Sequence, residues 1–181
     1  MNHRELILIL GGARGGKSAY AEDLAQELGG DQVVYVATAQ ALDEEMHERI
    51  AKHRAERPAA WRTVEAPSLR EPSLADELAG TRVVLLDCLT LLTSNALLAE
   101  STSFKQSPDQ EDEARVEAEI SALLDMYARG KATWIVVSNE VGLGLVPDNA
   151  LGRTYRDALG RANQRVAALA DRVLLLVAGL P

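Results

Sequence analysis

A single cysteine, Cys88, serves all 181 residues. No disulfide can form within one chain, and a reducing compartment, the cytoplasm, is the expected setting. Basic residues are few: 19 Lys and Arg stand against 27 Asp and Glu, a net charge of −8. That balance argues against a nucleic-acid partner, which needs a basic footprint. It leaves room for a small anion, because a local cluster can be positive inside an acidic whole. No apolar run approaches the length of a membrane span, so no stable membrane insertion is expected. The opening Met1-Asn2-His3-Arg4-Glu5 leads into an apolar run too short for the core of a signal peptide. There is neither an internal repeat nor a linker that would split the chain. One domain over residues 1–181 is expected, large enough to bury a core without metal or disulfide staples.

What the chain does have is a regular alternation. Short runs rich in Val, Ile and Leu fall at residues 6–10, 33–37, 61–64 (the weakest), 83–86, 133–137 and 173–177. They are apolar throughout rather than alternating, which suits strands buried on both faces of a sheet. Helical patterns fall between them, at residues 17–28, 42–56, 68–78, 89–98, 110–129 and 149–170. In the last, Leu151, Tyr155, Leu159, Ala162, Val166 and Leu169 recur at three- and four-residue steps, predicting an inward stripe. The least ordered stretch is expected at residues 100–109. The alternation predicts a three-layer α/β fold around a mostly parallel sheet.

The first strand runs directly into Gly11-Gly12-Ala13-Arg14-Gly15-Gly16-Lys17-Ser18, a complete G-x-x-x-x-G-K-[ST] phosphate loop between a strand and a helix. The glycines let successive backbone N–H groups converge on a phosphate. Lys17 supplies charge for the β- and γ-phosphates, and the Ser18 hydroxyl is placed to ligate Mg²⁺. The fold expectation sharpens to a RecA-like P-loop NTPase. In an open parallel sheet the ligand lies beyond the carboxyl ends of the strands, so each strand exit merits attention. The fourth run exits into Asp87, the pattern of a Walker B acid that holds Mg²⁺ opposite Ser18. The competing reading is an Asp capping the next helix; the phosphate loop favours the metal role. The fifth exits into Ser138-Asn139-Glu140-Val141-Gly142-Leu143-Gly144, where Glu140 either orients a hydroxyl or water or caps the loop.

Within residues 42–58, Leu42, Met46, Ile50 and His53 share one helical face. A structural histidine beside solvated arginines is one reading. The other is a nucleophile: Arg54 and Arg57 would depress the imidazole pKa, keeping it neutral, and would grip phosphate oxygens. His47 falls off that stripe and His3 carries no signal.

Here the residues match a known pattern. The chain resembles the bifunctional adenosylcobinamide kinase/adenosylcobinamide-phosphate guanylyltransferase family of cobalamin biosynthesis. The resemblance runs nearly end to end, through GGARGGKS, LLDCLT and RDALGRANQRVAALAD. Its discriminating pieces are H-R-x-x-R-P-x-x-W-R-T-x-E, from His53 to Glu65, and N-E-V-G-x-G-x-V-P, from Asn139 to Pro147. The resemblance implies two reactions. ATP or GTP phosphorylates the aminopropanol hydroxyl of adenosylcobinamide; GMP then passes from GTP through a covalent GMP-histidine to give adenosylcobinamide-GDP. It puts the guanylylated histidine at His53 and the triphosphate on the residues from Gly11 to Ser18. Guanine and ribose contacts fall to Ala37, Thr38, Ala39, His53, Arg54, Ala55, Glu56, Glu65 and Asp87. It also implies a homotrimer. Gly15 stands where relatives commonly have Ser, and Lys52 where some have a second histidine. Two other readings compete: a P-loop kinase for another small hydroxylated metabolite, and a nucleotide-dependent switch. The chain shows no N-K-x-D at a strand exit and no basic loop patch, which weighs against a guanine-specific GTPase and a polymer-forming recombination ATPase.

Overall fold

Every strand lies within one residue of the apolar run that predicts it. The computed structural model describes residues 4–40, 44, 54–55, 57–99 and 110–181. In chain order these form β1 (Leu6–Gly11), α1 (Lys17–Gly29), β2 (Val33–Ala37), β3 (Arg62–Glu65), α2 (Leu74–Glu77) and β4 (Val83–Asp87). Then follow α3 (Leu89–Leu98), α4 (Gln110–Arg129), β5 (Thr133–Val137), α5 (Ala150–Leu169) and β6 (Arg172–Leu176). Two strands are shifted by a residue: β6 starts one before Val173, and β3 starts one past Trp61. That tryptophan packs into the core and donates its indole N–H to Gly30 O at 3.0 Å.

The six strands make one sheet in the order β3-β2-β4-β5-β1-β6, parallel at every pairing. Parallel neighbours need crossovers, and the helices supply them on both faces. On one face α1 contributes Ala21, Leu24 and Ala25 to a core with Ile7, Ile9, Tyr35, Leu85 and Val137. On the other, α3, α4 and α5 contribute Leu92, Ile120, Leu123, Leu159 and Val166 against Leu6, Leu8, Val34 and Val136. This is the three-layer α/β P-loop arrangement expected from the alternation.

Helices α3 and α4 have the expected bounds. The helix expected over residues 68–78 shrinks to one turn, α2. Pro72 disfavours helical backbone at Glu71, and the upstream backbone is occupied elsewhere: Glu119 of α4 accepts from Ser68 Oγ at 2.6 Å and Leu69 N at 2.7 Å. In α5 the stripe holds in the middle, where Leu159, Ala162 and Val166 are buried. It fails at both ends, where Leu151 and Leu169 stand exposed. Asn149 caps α5, its side chain accepting from Gly152 N at 2.7 Å. Of the helix expected over residues 42–56, the described Glu44, Arg54 and Ala55 are helical; His47, His53 and Glu56 lie outside the described residues, as do residues 100–109. Among the described residues no helix is long and apolar enough to cross a membrane.

Candidate active site

The site is built where β1, β4 and β5 end. Ile9, Val137, Asp87, Ala37 and Glu65 form one row across the sheet at its carboxyl edge. Residues level with one another in a parallel sheet point to the same face, here the α1 face. A cleft of about 490 Å³ opens above this row, lined by the residues from Ala13 to Ala19 together with Asp87, Cys88, Val137 and Asn139. The phosphate loop and the Walker B acid therefore share one cavity. A cleft of about 560 Å³ at the opposite edge is lined mainly by apolar and small residues such as Leu78, Ala79 and Trp134, with Asp125, Arg129 and Lys131 at its rim. It holds no comparable set of phosphate-binding groups.

The loop is shaped by close packing against the segment after β6. A Cβ on Gly11 would lie 2.6 Å from Leu176 O, and one on Gly16 would lie 2.8 Å from Gly179 Cα. Gly16 caps α1 with φ of 86°, a conformation that costs other residues roughly 1–2 kcal/mol. Gly179 N donates to Gly15 O at 3.0 Å, and Glu140 N donates to Gly11 O at 3.1 Å. Lys17 is buried, and its Nζ donates to Gly12 O at 2.7 Å. Burial holds the Lys17 pKa below the ordinary lysine value, against the opposing pull of Cys88 and Asp87. A triphosphate placed over the loop would set anionic oxygens against that ammonium.

Asp87 does not cap the following helix. The N-cap of α3 is Cys88, with no side-chain cap, while Asp87 Oδ2 accepts a hydrogen bond from Tyr35 Oη at 2.7 Å. Burial, and after it the neighbouring Asp87, raises the Tyr35 phenol far above its ordinary pKa, so it remains a donor. The same two causes push the Cys88 thiol up to about 11. Glu140 closes its own loop, its Oε1 accepting from Gly142 N at 2.7 Å. Thr38 is fully buried: its hydroxyl donates to Cys88 O and accepts from Cys88 N, both at 2.8 Å, tying the exits of β2 and β4 together. Ala39 is partly exposed beyond it. Glu65 pairs with Arg54 at 3.6 Å, both largely exposed.

Two contributors escape a reading of the sequence alone. Asn95 donates to Thr38 O and Pro67 O, at 2.9 and 3.0 Å, bracing the exit of β2. Tyr35 is the other; its signal was a hydroxyl-bearing side chain inside an otherwise aliphatic strand, which must find a partner when buried.

The donor set suits a metal carried by the nucleotide. Among the described residues no group of three or more His, Cys, Asp or Glu could hold a resident metal. Mg²⁺ is usually bound by one or two protein oxygens plus substrate phosphates and water, and Ser18 and Asp87 on one cleft fit that pattern.

Comparison with known proteins agrees with this chemistry. Residues 7–181 match the family described as cobinamide kinase / cobinamide phosphate guanyltransferase. The bifunctional adenosylcobalamin biosynthesis protein CobU of Salmonella typhimurium is 43% identical over 97% of this chain and 97% of its own length. The corresponding CobP of Pseudomonas aeruginosa is 47% identical over 96% and 94%. Among solved structures, the flagellar accessory protein FlaH from Methanocaldococcus jannaschii aligns over 96% of this chain and 71% of its own, with a TM-score of 0.46 and 16% identity. With a family match over nearly its whole length and relatives above 40% identity, the chain belongs to the cobinamide kinase / cobinamide phosphate guanyltransferase family of enzymes.

Proposed function

We propose that both reactions are served by this one carboxyl-edge site, within a single domain over residues 1–181, and that His53 carries the GMP. The observation that supports this reading is the shared cleft: Lys17, Ser18 and Asp87 line it together, and the Arg54–Arg57 segment is tied to the same edge through Glu65 and Tyr35.

In the kinase step the amides of the residues from Gly11 to Ser18 and the Lys17 ammonium hold the β- and γ-phosphates of ATP or GTP. The aminopropanol hydroxyl of adenosylcobinamide attacks the γ-phosphorus, the β–γ bridging bond breaks, and the nucleoside diphosphate leaves. Such transfers are mostly positioning and charge neutralisation. Ser18 and Asp87 would hold Mg²⁺, which supplies charge neutralisation at the phosphates. In the second reaction a neutral His53 nitrogen attacks the α-phosphorus of GTP and pyrophosphate leaves. A phosphate oxygen of cobinamide phosphate then attacks the guanylyl phosphorus, freeing His53 and giving adenosylcobinamide-GDP. Passing through histidine divides one displacement into two easier ones. Ala37, Thr38, Ala39, Arg54, Ala55, Glu56 and Glu65 surround the guanosine in this reading; the buried Thr38 acts there by fixing backbone. The corrinoid, too large for a cleft of about 490 Å³, rests outside it. The reading also comprises a cytoplasmic enzyme, supported by the lone cysteine, and a homotrimer, supported by the family resemblance.

Incubation with α-labelled GTP tests the histidine. An acid-labile, base-stable adduct that maps to the peptide holding His53 and vanishes in His53→Ala is the expected result. No adduct in the wild-type protein, or one that survives the substitution, overturns the reading and favours a P-loop kinase with a structural histidine.

A further inference from the structure

The Tyr35 side chain faces two ways at once. Its position in β2 pairs with Leu85, two residues before Asp87, so side chain and carboxylate meet diagonally on the α1 face. Its hydroxyl donates to Asp87 Oδ2 at 2.7 Å. Among the described residues this phenol is the one side-chain hydrogen-bond partner of that carboxylate, and it leaves the second oxygen free for a cation. The ring meanwhile lies 3.4 Å beneath the Arg57 guanidinium carbon. Among the described residues little else holds Arg57: Nη1 reaches Thr63 Oγ1 only at 3.4 Å, and the buried Nε meets no acceptor there. Stacking on the tyrosine therefore fixes the guanidinium, and Arg57 follows His53 by four residues.

We infer that Tyr35 is a positioning residue that joins the two halves of the site, its hydroxyl orienting Asp87 toward the nucleotide's metal and its ring seating the arginine of the histidine segment. This rests on the two-reaction reading above. An aliphatic residue, like its neighbours Val34 and Val36, would fill the strand and do neither. A phenylalanine would do only the second. The two functions are thus separable by substitution. Residues that orient a metal ligand from behind typically contribute about 10- to 100-fold to metal affinity or activity.

The test compares Tyr35→Phe with Arg57→Met in the full-length protein. Calorimetry measures GTP binding with and without Mg²⁺, and α-labelled GTP measures the rate of adduct formation. Tyr35→Phe is expected to weaken GTP binding about tenfold in the presence of Mg²⁺ and to leave metal-free GTP binding unchanged. Arg57→Met is expected to slow the adduct by a similar factor and to leave the Mg²⁺ enhancement of binding at its wild-type size. A general loss of packing would lower both binding measurements together, and thermal denaturation shows whether either variant is folded. If Tyr35→Phe keeps the wild-type Mg²⁺ enhancement, or loses metal-free binding equally, the positioning role is wrong. If Tyr35→Phe is unfolded, Arg57→Met still decides: an unchanged adduct rate overturns the link. Absence of an adduct in the wild-type protein instead overturns the parent reading.

Discussion

Lys17 carries the clearest tension at the scale of single residues. Its side chain is buried, and at the cleft its ammonium has given up part of its hydration for one neutral hydrogen bond to Gly12 O. Charged groups removed from water without an opposite charge cost stability. Lys17→Met, close in length and shape, should therefore leave the melting temperature of the nucleotide-free protein unchanged or higher. The stabilisation that added nucleotide gives, which follows ligand affinity, should vanish in the same variant. Thermal scans with and without GTP read both effects; a marked loss of stability without nucleotide would contradict the argument. Lys17 and Ser18 were legible because the glycine-rich motif that follows the first apolar run names them, and Asp87 because it ends the fourth run, where chain direction alone places it at the carboxyl edge of the sheet. Tyr35 was not, because its role depends on a contact across the sheet with a residue 52 positions away. Glu140 shows the opposite case: a carboxylate at the right edge whose own loop takes its oxygen.

Among the elements, the phosphate loop offers the sharpest contrast between glycines. Nothing lies within 4 Å of a Cβ on Gly12, whereas one on Gly16 meets the backbone of Gly179 at 2.8 Å from an already left-handed conformation. Gly12→Ala should change the melting temperature little. Gly16→Ala combines a left-handed penalty of roughly 1–2 kcal/mol with a clash against backbone, and should lower both stability and nucleotide affinity. Equal effects of the two would show that motif membership, rather than packing, governs these positions. Strand positions were readable because doubly covered parallel strands are apolar throughout. The helix expected over residues 68–78 was misread because periodicity cannot show that Glu119, some fifty residues later, takes up the Leu69 N–H. The apolar spacing of α5 was real, yet it buries only the middle of the stripe and leaves Leu151 and Leu169 exposed.

Over the whole molecule, the order of strands in space differs from their order in the chain. β1, the earliest of the described strands in the chain, lies between β5 and β6, the two latest of them. Its register partners Trp134 and Val173 are more than 120 residues downstream. Such non-local pairing sets in late, because loop closure precedes the contacts that reward it. The α/β class was visible in the alternation of patterns, but this strand order was not, since each run carries no mark of its neighbour.

That order, together with the packing of Gly179 on Gly15 and Gly16, has a consequence for how the protein comes off the ribosome. The phosphate-binding motif is complete at Ser18, yet its cradle is shaped by backbone from residues 176–179, far downstream. A nascent chain would carry the motif with its loop unbraced until those residues were made. Ribosome-stalled chains released at residue 170 should fail to retain labelled GTP, and those that include residues 171–181 should retain it. Retention by the shorter chains would show that the loop shapes itself. Otherwise nucleotide binding is acquired only when residues 176–179 arrive, long after its signature has been translated.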